Sequence, residues 1–564
     1  MPAKREEPAS QPATPQTYKQ KKHIMKHLVI LLATLMPYLG ITADTIRVNT
    51  RYGTVEGQSL SGVNIFKGIP FAAPPTGDNR WREPQPLQPW DSVLVCTDYR
   101  PDPMQEPIYG DMNFGAGSMS EDCLYLNVWA PATPGDTLLP VLIYFNGGGL
   151  MAGSGSEPRY AGLSMARRGI VSVTANYREG IFGFYAHPQL SAETPHKGSG
   201  YYGFYDQLAA IRWLKENIRQ FGGDPARITI AGESAGAFSV SMLVASPLSK
   251  DLFAQAIVSS GSVVSDKRCA TLAEAEAEGI NIMKQCRCRD ISEMRALPAD
   301  TLMRRAHIRN LPKYCIDNRL ITEQPLTTYS EGRQQHVPLL IGGNSLESNP
   351  ANVFGEKLQR NEDITLDDIR HAAQYMFGRH TDEMLGLYGI DTPEDIFRQP
   401  GIDLCNDLFL AYATWRMGDI HRRTSGQPVW RYLFARPRPR MIVQGKMAGL
   451  AGGLIDCDGE QQPENALPKI DGAVHSADIE YAMGNLATNR VYDWQPEDWL
   501  VSDIFQTYYA NFIITGNPNG IALPYWPETN NRDTPPVMRI DTDTRVTYNP
   551  AEERRYQRMN EIFR

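Results

Sequence analysis

Four short segments, PVLIYF (140–145), IVSVTA (170–175), RITIAG (227–232) and QAIVSS (255–260), are β-branched and almost wholly apolar. A strand with one wet face alternates apolar and polar side chains, whereas a strand covered on both faces has no reason to alternate. Segments of helical period separate these runs, so the pattern predicts a mostly parallel α/β sheet with helices on both sides. PLLIGG (338–343) and VWRYLF (429–434) are later strand candidates. Between the second and third runs, YDQLAAIRWLKENIRQF (205–221) sets Leu208, Ile211, Leu214, Ile218 and Phe221 on one helical stripe. That stripe ends at Gly222-Gly223-Asp224-Pro225, a glycine stop with a proline behind it. The chain has 564 residues, 42% of them hydrophobic. That is enough for a large single core with insertions.

RITIAG runs directly into ITIAGESAGAF (228–238), a Gly-x-Ser-x-Gly pattern. The pattern alone recurs by chance in a chain with 47 glycines, so its setting decides. Here a buried strand precedes Ser234, and small residues followed by an apolar helical pattern come after it. A strand-to-helix turn this tight brings backbone against backbone, which only glycine at 232 and 236 tolerates. It lifts the serine hydroxyl above the sheet and aims the free N–H groups of the helix at it. Ser234 is therefore the expected nucleophile.

A serine at its ordinary pKa needs a base held by an acid, and here both should follow it in the chain. His475, in the glycine-bearing turn DGAVHSADIEYAMG, is the candidate base; the alternative is a loop histidine with ordinary partners. His307, His371, His380 and His421 lie in polar, Arg-rich or acidic stretches and read as solvated. Glu347 directly follows PLLIGG, at a strand's carboxyl end where α/β sites assemble. It competes with the reading of an exposed loop carboxylate. YFNGGGL (144–150) leaves a strand through three glycines, and such a loop can aim consecutive N–H groups at a developing oxyanion. A flexible turn or phosphate cradle is the alternative, although the Gly-Lys-Ser/Thr of a P-loop is missing.

The remaining features bound the setting. Net charge is −8 and no long basic run occurs, which argues against nucleic acid as a partner. Residues 1–24 are polar and read as a disordered extension or an over-extended start, with Met25 as the alternative first residue. Residues 25–43 then have basic positions, an apolar run from Leu28 to Leu39, and small Ala43 before Asp44. This is a signal-peptide layout, with an uncleaved anchor or a buried helix as alternatives. Residues 44–564 are expected as one catalytic domain, exported to the periplasm or secreted. No later apolar stretch approaches 18 residues, so no membrane span is expected there. Eight cysteines suit an exported chain that keeps disulfides. No C-x-x-C pair or histidine cluster points to a metal.

These residues together resemble the type-B carboxylesterase family, which includes cholinesterases and bacterial para-nitrobenzyl esterases. The likeness runs from about 47 to 540 and rests on FGGDPARITIAGESAG (221–236), EDCLYLNVWAP (121–131), FKGIPFAAPPTGDNRW (66–81), NYREGIFGF (176–184) and NFIITGNPN (511–519). The resemblance implies an α/β-hydrolase fold and cofactor-free, two-step hydrolysis of a small-molecule carboxylic ester. It implies that Ser234 is the nucleophile, Glu347 the triad acid and His475 the general base. The oxyanion donors would be Gly148, Gly149 and the N–H of Ala235. It further implies a Cys96–Cys123 bridge and a second loop closed by Cys269 with Cys286 or Cys288; Cys315, Cys405 and Cys457 stay unassigned. The chain departs from the family at Asn146, where many members have His or Tyr, at Ser348 and Asn318, where glycine is frequent, and at Asn113. The last position holds a choline-binding tryptophan in cholinesterases, so choline esters are not expected. Competing readings are an adhesion module of the same fold, or a thioesterase, lactonase or lipase using the same residues. Acyl and alcohol specificity and oligomeric state are not legible at this level.

Overall fold

The computed structural model describes residues 44–563 except 109–111, 134, 136, 307–314, 361, 444–445, 449–453, 457–470 and 531. The polar extension, the leader, His307 and Cys457 thus lie outside the described residues. The core is one large sheet. Its strands Tyr125–Pro131, Val171–Ala175, Leu139–Phe145, Gly223–Glu233, Gln255–Ser259, Leu339–Asn344, Val429–Phe434 and Val537–Ile540 lie side by side in that order. From Val171–Ala175 onward each neighbouring pair in this set is parallel, as the unbroken apolar runs require. Tyr125–Pro131 is antiparallel to its neighbour.

Both faces of the sheet are covered. Val141, Ile143 and Phe145 point into one apolar layer with Ile228, Ile230, Val258 and Ile341. Leu142 and Tyr144 point into the other with Ala231, Ile257 and Leu340. The helices Tyr202–Asn217 and Ala235–Ala245 close the first layer through Leu208, Ile211, Leu214, Val240 and Leu243. The long helix Pro496–Thr515 closes the second through Val501, Phe505, Tyr508 and Phe512.

Most strand limits fall within a residue of expectation, and the exception has a physical cause. Gly222 takes φ 82° and stops the helical stripe at once, after a short 3-10 turn Ile218–Phe221. The chain then enters the sheet at Gly223 rather than at Arg227, with a register shift before Ile228. Pro225 has no N–H to give to a ladder, so a bulge there is the accommodating geometry. The strands Asp44–Asn49, Thr54–Leu60 and Val63–Pro70 at one edge, and Arg545–Thr547 at the other, were not anticipated.

The expected disulfides are corrected. All seven described cysteines are free thiols, so neither Cys96 and Cys123 nor Cys269 with Cys286 or Cys288 is joined. The Cys96 thiol faces the carbonyl of Gly68 instead, at 3.9 Å. Cys269 packs in the main apolar layer and Cys286 in a separate cluster with Tyr185 and Met294. The chain beside Cys269 is paired elsewhere, Ala270 bridging to Cys315. Burial pushes the thiols of Cys96, Cys269 and Cys405 up to about 12 and that of Cys286 to about 11. Thiols held so far from ionisation are poor nucleophiles at neutral pH.

Leu208 is fully buried between helix and sheet. Leu208→Ala is expected to destabilise the fold by about 2–5 kcal/mol, read as a lower denaturant midpoint with an unchanged slope.

Candidate active site

Ser234 stands between the strand Gly223–Glu233 and the helix Ala235–Ala245, at φ 54° and ψ −120°. A non-glycine residue held there is strained and must be over-determined by its surroundings. Four contacts do this. The Ser234 N–H donates to Ser259 O at 2.9 Å, and its carbonyl accepts from Phe238 N at 3.0 Å. A Cβ on Gly232 would lie 2.4 Å from the carbonyl of Gly236, and one on Gly236 only 2.2 Å from Phe145 O. The two flanking glycines are there because no side chain fits.

Glu347 and His475 come from loops 128 residues apart, yet they are in register. Leu346 and Val474 form a parallel bridge, with Leu346 N donating to Ala473 O at 2.9 Å. The next residue on each side is therefore Glu347 and His475. His475 Nδ1 lies 2.6 Å from Glu347 Oε2. The other oxygen of Glu347 accepts from Ser260 Oγ and from Asn344 N, each at 2.5 Å. Both residues are buried. His475 Nε2, on the far edge of the ring, lies 3.3 Å from Glu233 Oε1, which also accepts from Ser476 Oγ at 2.8 Å. Phe409 presents its ring edge-on to His475 at 5.3 Å.

The electrostatics follow from this crowding. Burial alone would lower His475, but Glu233, Glu347 and Asp478 outweigh it and hold the imidazole up at about 9. Burial raises the carboxyls of Glu233 and Asp478 above their ordinary values, with the imidazolium pulling each back. Asp478 accepts from Asn344 Nδ2 at 3.1 Å and from Tyr432 OH at 2.9 Å. One histidine thus stands amid three buried carboxylates, a coupled arrangement in which protons redistribute readily.

A pocket of about 380 Å³, its open mouth included, is lined by Ser234, His475, Gly147, Gly148, Gly149, Met112, Arg159, Tyr160 and Phe409, with Glu233 and Ser476. Ala235 is the first residue of the helix behind Ser234. Gly148 takes φ 106°, and a Cβ there would lie 1.7 Å from Ala152 O. The Gly148 carbonyl accepts from Met151 N and Ala152 N, both at 3.1 Å. Asn146 anchors this loop: its Nδ2 donates to Gly147 O at 2.9 Å, Glu179 Oε1 at 3.1 Å and Tyr177 OH at 3.3 Å, while Tyr177 OH donates to Asn146 O at 2.9 Å. Burial pushes the Glu179 carboxyl well above its ordinary range, and the hydrogen bonds from Asn146 and Tyr177 pull it back. The structure therefore brings all six expected residues, Ser234, Glu347, His475, Gly148, Gly149 and Ala235, to one place.

Other positions sort accordingly. Asn318 takes φ 65°, a left-handed conformation that asparagine tolerates, which explains how it replaces a glycine. Ser348 is buried with its N–H on Asn406 Oδ1 at 3.0 Å, and Asn113 is exposed beside the pocket residue Met112. His371 is exposed and His380 half-buried, as expected of solvated residues. His421 is not solvated: it is fully buried, Nε2 lies 2.9 Å from Val337 O, and burial lowers it to about 4. Its period was readable, because Thr414, Met417 and His421 share one buried helix face. Sequence reasoning missed Glu179, Ser260, Asp478 and Arg159, charged or polar residues whose burial no local pattern announces.

Residues 44–559 match the model of the carboxylesterase family. The chain belongs to that family. It is 36% identical to the fumonisin B1 esterase of Sphingopyxis macrogoltabida over 529 residues, 89% of this chain and 88% of the relative. It is 31% identical to the para-nitrobenzyl esterase of Bacillus subtilis (strain 168), covering 90% and 97%. Among solved structures, the Geobacillus stearothermophilus carboxylesterase at pH 6.2 superposes with a TM-score of 0.74 at 27% identity, over 92% of this chain and all of that one. The fold is the α/β-hydrolase fold, and the protein is a carboxylic ester hydrolase.

The anchor of the glycine loop gives a prediction. Glu179→Leu leaves Asn146 without its acid partner and is expected to lower kcat for a 4-nitrophenyl ester by about tenfold, less than the roughly 100- to 1000-fold cost of deleting an oxyanion donor outright. Glu179→Gln keeps an acceptor for Asn146 and should retain most of the rate; equal losses in both variants would contradict the anchoring role.

Proposed function

We propose that this carboxylesterase hydrolyses its esters through an acyl-enzyme on Ser234. Ser234 Oγ attacks the ester carbonyl while His475 Nε2 takes its proton. The N–H groups of Gly148, Gly149 and Ala235 receive the oxyanion. His475 then protonates the leaving alcohol and, in the second half, activates water that releases the acid and frees Ser234. Glu347 fixes the imidazole with Nε2 toward the pocket and stabilises the imidazolium. The observation that carries this reading is the 2.6 Å contact of Glu347 with His475 in a pocket that also holds Ser234. The family's ester chemistry supports it, as does the strained backbone at Ser234.

We extend the proposal to export. A basic, apolar and small-residue order through residue 43 is followed directly by the first strand, at Asp44. An N-terminus at Asp44 in protein recovered outside the cytoplasm is the expected result, and an intact residue 25 there would contradict cleavage.

Two measurements test the chemistry. A fluorophosphonate is expected to label Ser234, located by peptide mass spectrometry, and to leave Ser234→Ala unlabelled. The substitution should reduce kcat by about 10⁴-fold or more. Absence of label on folded protein would refute the nucleophile assignment. The pH profile is a second check. A general base works in its neutral form, so kcat/KM should rise as pH climbs through the raised pKa of His475, about 9. Glu233→Gln removes a carboxylate that holds this value up, so the rising limb should move to lower pH.

A further inference from the structure

Arg159 is a charged residue in the wall of the catalytic pocket that the proposed chemistry does not use. It sits in the 3-10 turn Pro158–Tyr160, and its side chain is only 7% exposed. A guanidinium has five N–H donors in a fixed fork, and buried donors are almost always paired. Here Nε donates to Glu157 Oε1, and the enclosed Nη1 has no acceptor. The group is also held still. Asn485 Nδ2 clamps the turn through Arg159 O at 2.9 Å and Ala161 O at 2.8 Å. The guanidinium lies 5.6 Å over the Tyr160 ring, which is itself stacked on Tyr144 at 4.9 Å. Arg438, also buried, pairs through Nη2 with both oxygens of Glu480 and with Ser476 O; its Nε and Nη1 likewise have no acceptor, but it does not line this pocket.

A rigid, desolvated guanidinium in the pocket wall with its Nη1 donor unused is suited to holding a carboxylate. Glu157 neutralises the arginine in the absence of a ligand without occupying Nη1. The nearest other carboxyl in the wall, Glu233, is raised by burial and so opposes a second anion less than an ordinary glutamate would. The wall offers little to a long aliphatic group, because Met112 and Phe409 are its large fully apolar side chains.

We propose that Arg159 is a specificity-determining residue that binds a free carboxylate on the substrate, so that this site takes anionic esters, such as half-esters of dicarboxylic acids. The inference rests on the site described under the proposed function. The carboxylate belongs to either the acid or the alcohol part of the ester, and the test separates the two.

Two matched pairs are compared on the full chain: mono-4-nitrophenyl glutarate against 4-nitrophenyl valerate, and 4-carboxyphenyl acetate against 4-methylphenyl acetate. The anionic member of at least one pair is expected to have the higher kcat/KM, by about tenfold or more. The pair that shows it identifies the side carrying the charge. In Arg159→Gln the ratio of anionic to neutral turnover should fall by about tenfold, and Arg159→Lys should recover part of it. As a check free of any variant, glutarate should inhibit neutral-ester hydrolysis competitively and more strongly than valerate does. Neutral esters preferred in both pairs, or an Arg159→Gln ratio equal to that of the unaltered chain, would overturn the assignment. Hydrolysis of neutral esters that survives Ser234→Ala would instead overturn the proposed chemistry, so the two failures are distinct.

Discussion

The close approach of the Ala235–Ala245 helix to the sheet is the constraint from which the rest of the site follows. Gly236 lies where any Cβ would strike Phe145 O, and Gly232 lies against Gly236 itself. Two backbones in such contact leave the residue between them no relaxed conformation, and Ser234 accepts φ 54° in consequence. The strain is affordable because the parallel strands flanking this turn, Leu139–Phe145 and Gln255–Ser259, are buried on both faces, so the ends of the turn cannot drift. Phe145 is also the last residue of the strand that launches the glycine loop. One packing contact therefore sets the serine and the loop with respect to each other.

Around that fixed point the protein gathers an unusual density of ionisable groups. His475, Glu233, Glu347 and Asp478 are all buried; the carboxyls accept from Ser476, Ser260, Asn344 and Tyr432, and His475 faces Glu347 and Glu233. Burying charge without such partners is strongly unfavourable, and with them the balance between imidazole and carboxylates becomes a tunable quantity. The same logic accounts for Asn146. Its amide makes the ties that hold the glycine loop, and Glu179, whose carboxyl burial pushes well above its ordinary range, receives one of them.

How much of this could be read from the chain depends on whether a residue's role is local. The central strands were legible because burial on both faces removes alternation, and the elbow was legible because its glycines, strand and helix are contiguous. The edge strands Asp44–Asn49 and Thr54–Leu60 were not, since half-exposed strands with polar residues resemble loops. Glu347 and His475 could be nominated by position but not joined, because the bridge that registers them is tertiary. His421 was misjudged through its neighbours: Arg422 and Arg423 suggested a solvated stretch, while its own helix face carries Met417 and faces the core. The cysteines went wrong for a related reason. Cys269 and Cys286 pack in different clusters, and Cys96 and Cys123, though in one cluster, are unpaired, the Cys96 thiol facing Gly68 O.

The single rung between Leu346 and Val474 has an architectural effect of its own. It fastens Glu347 to His475 at the neck of a chain excursion of well over a hundred residues, which includes Phe409 in the pocket wall. Whatever that excursion does, its two ends re-enter in the same register. The enclosed stretch carries both the central strand Val429–Phe434 and Phe409 of the pocket wall, so sheet, pocket wall and the Glu347–His475 pair are tied together at one rung.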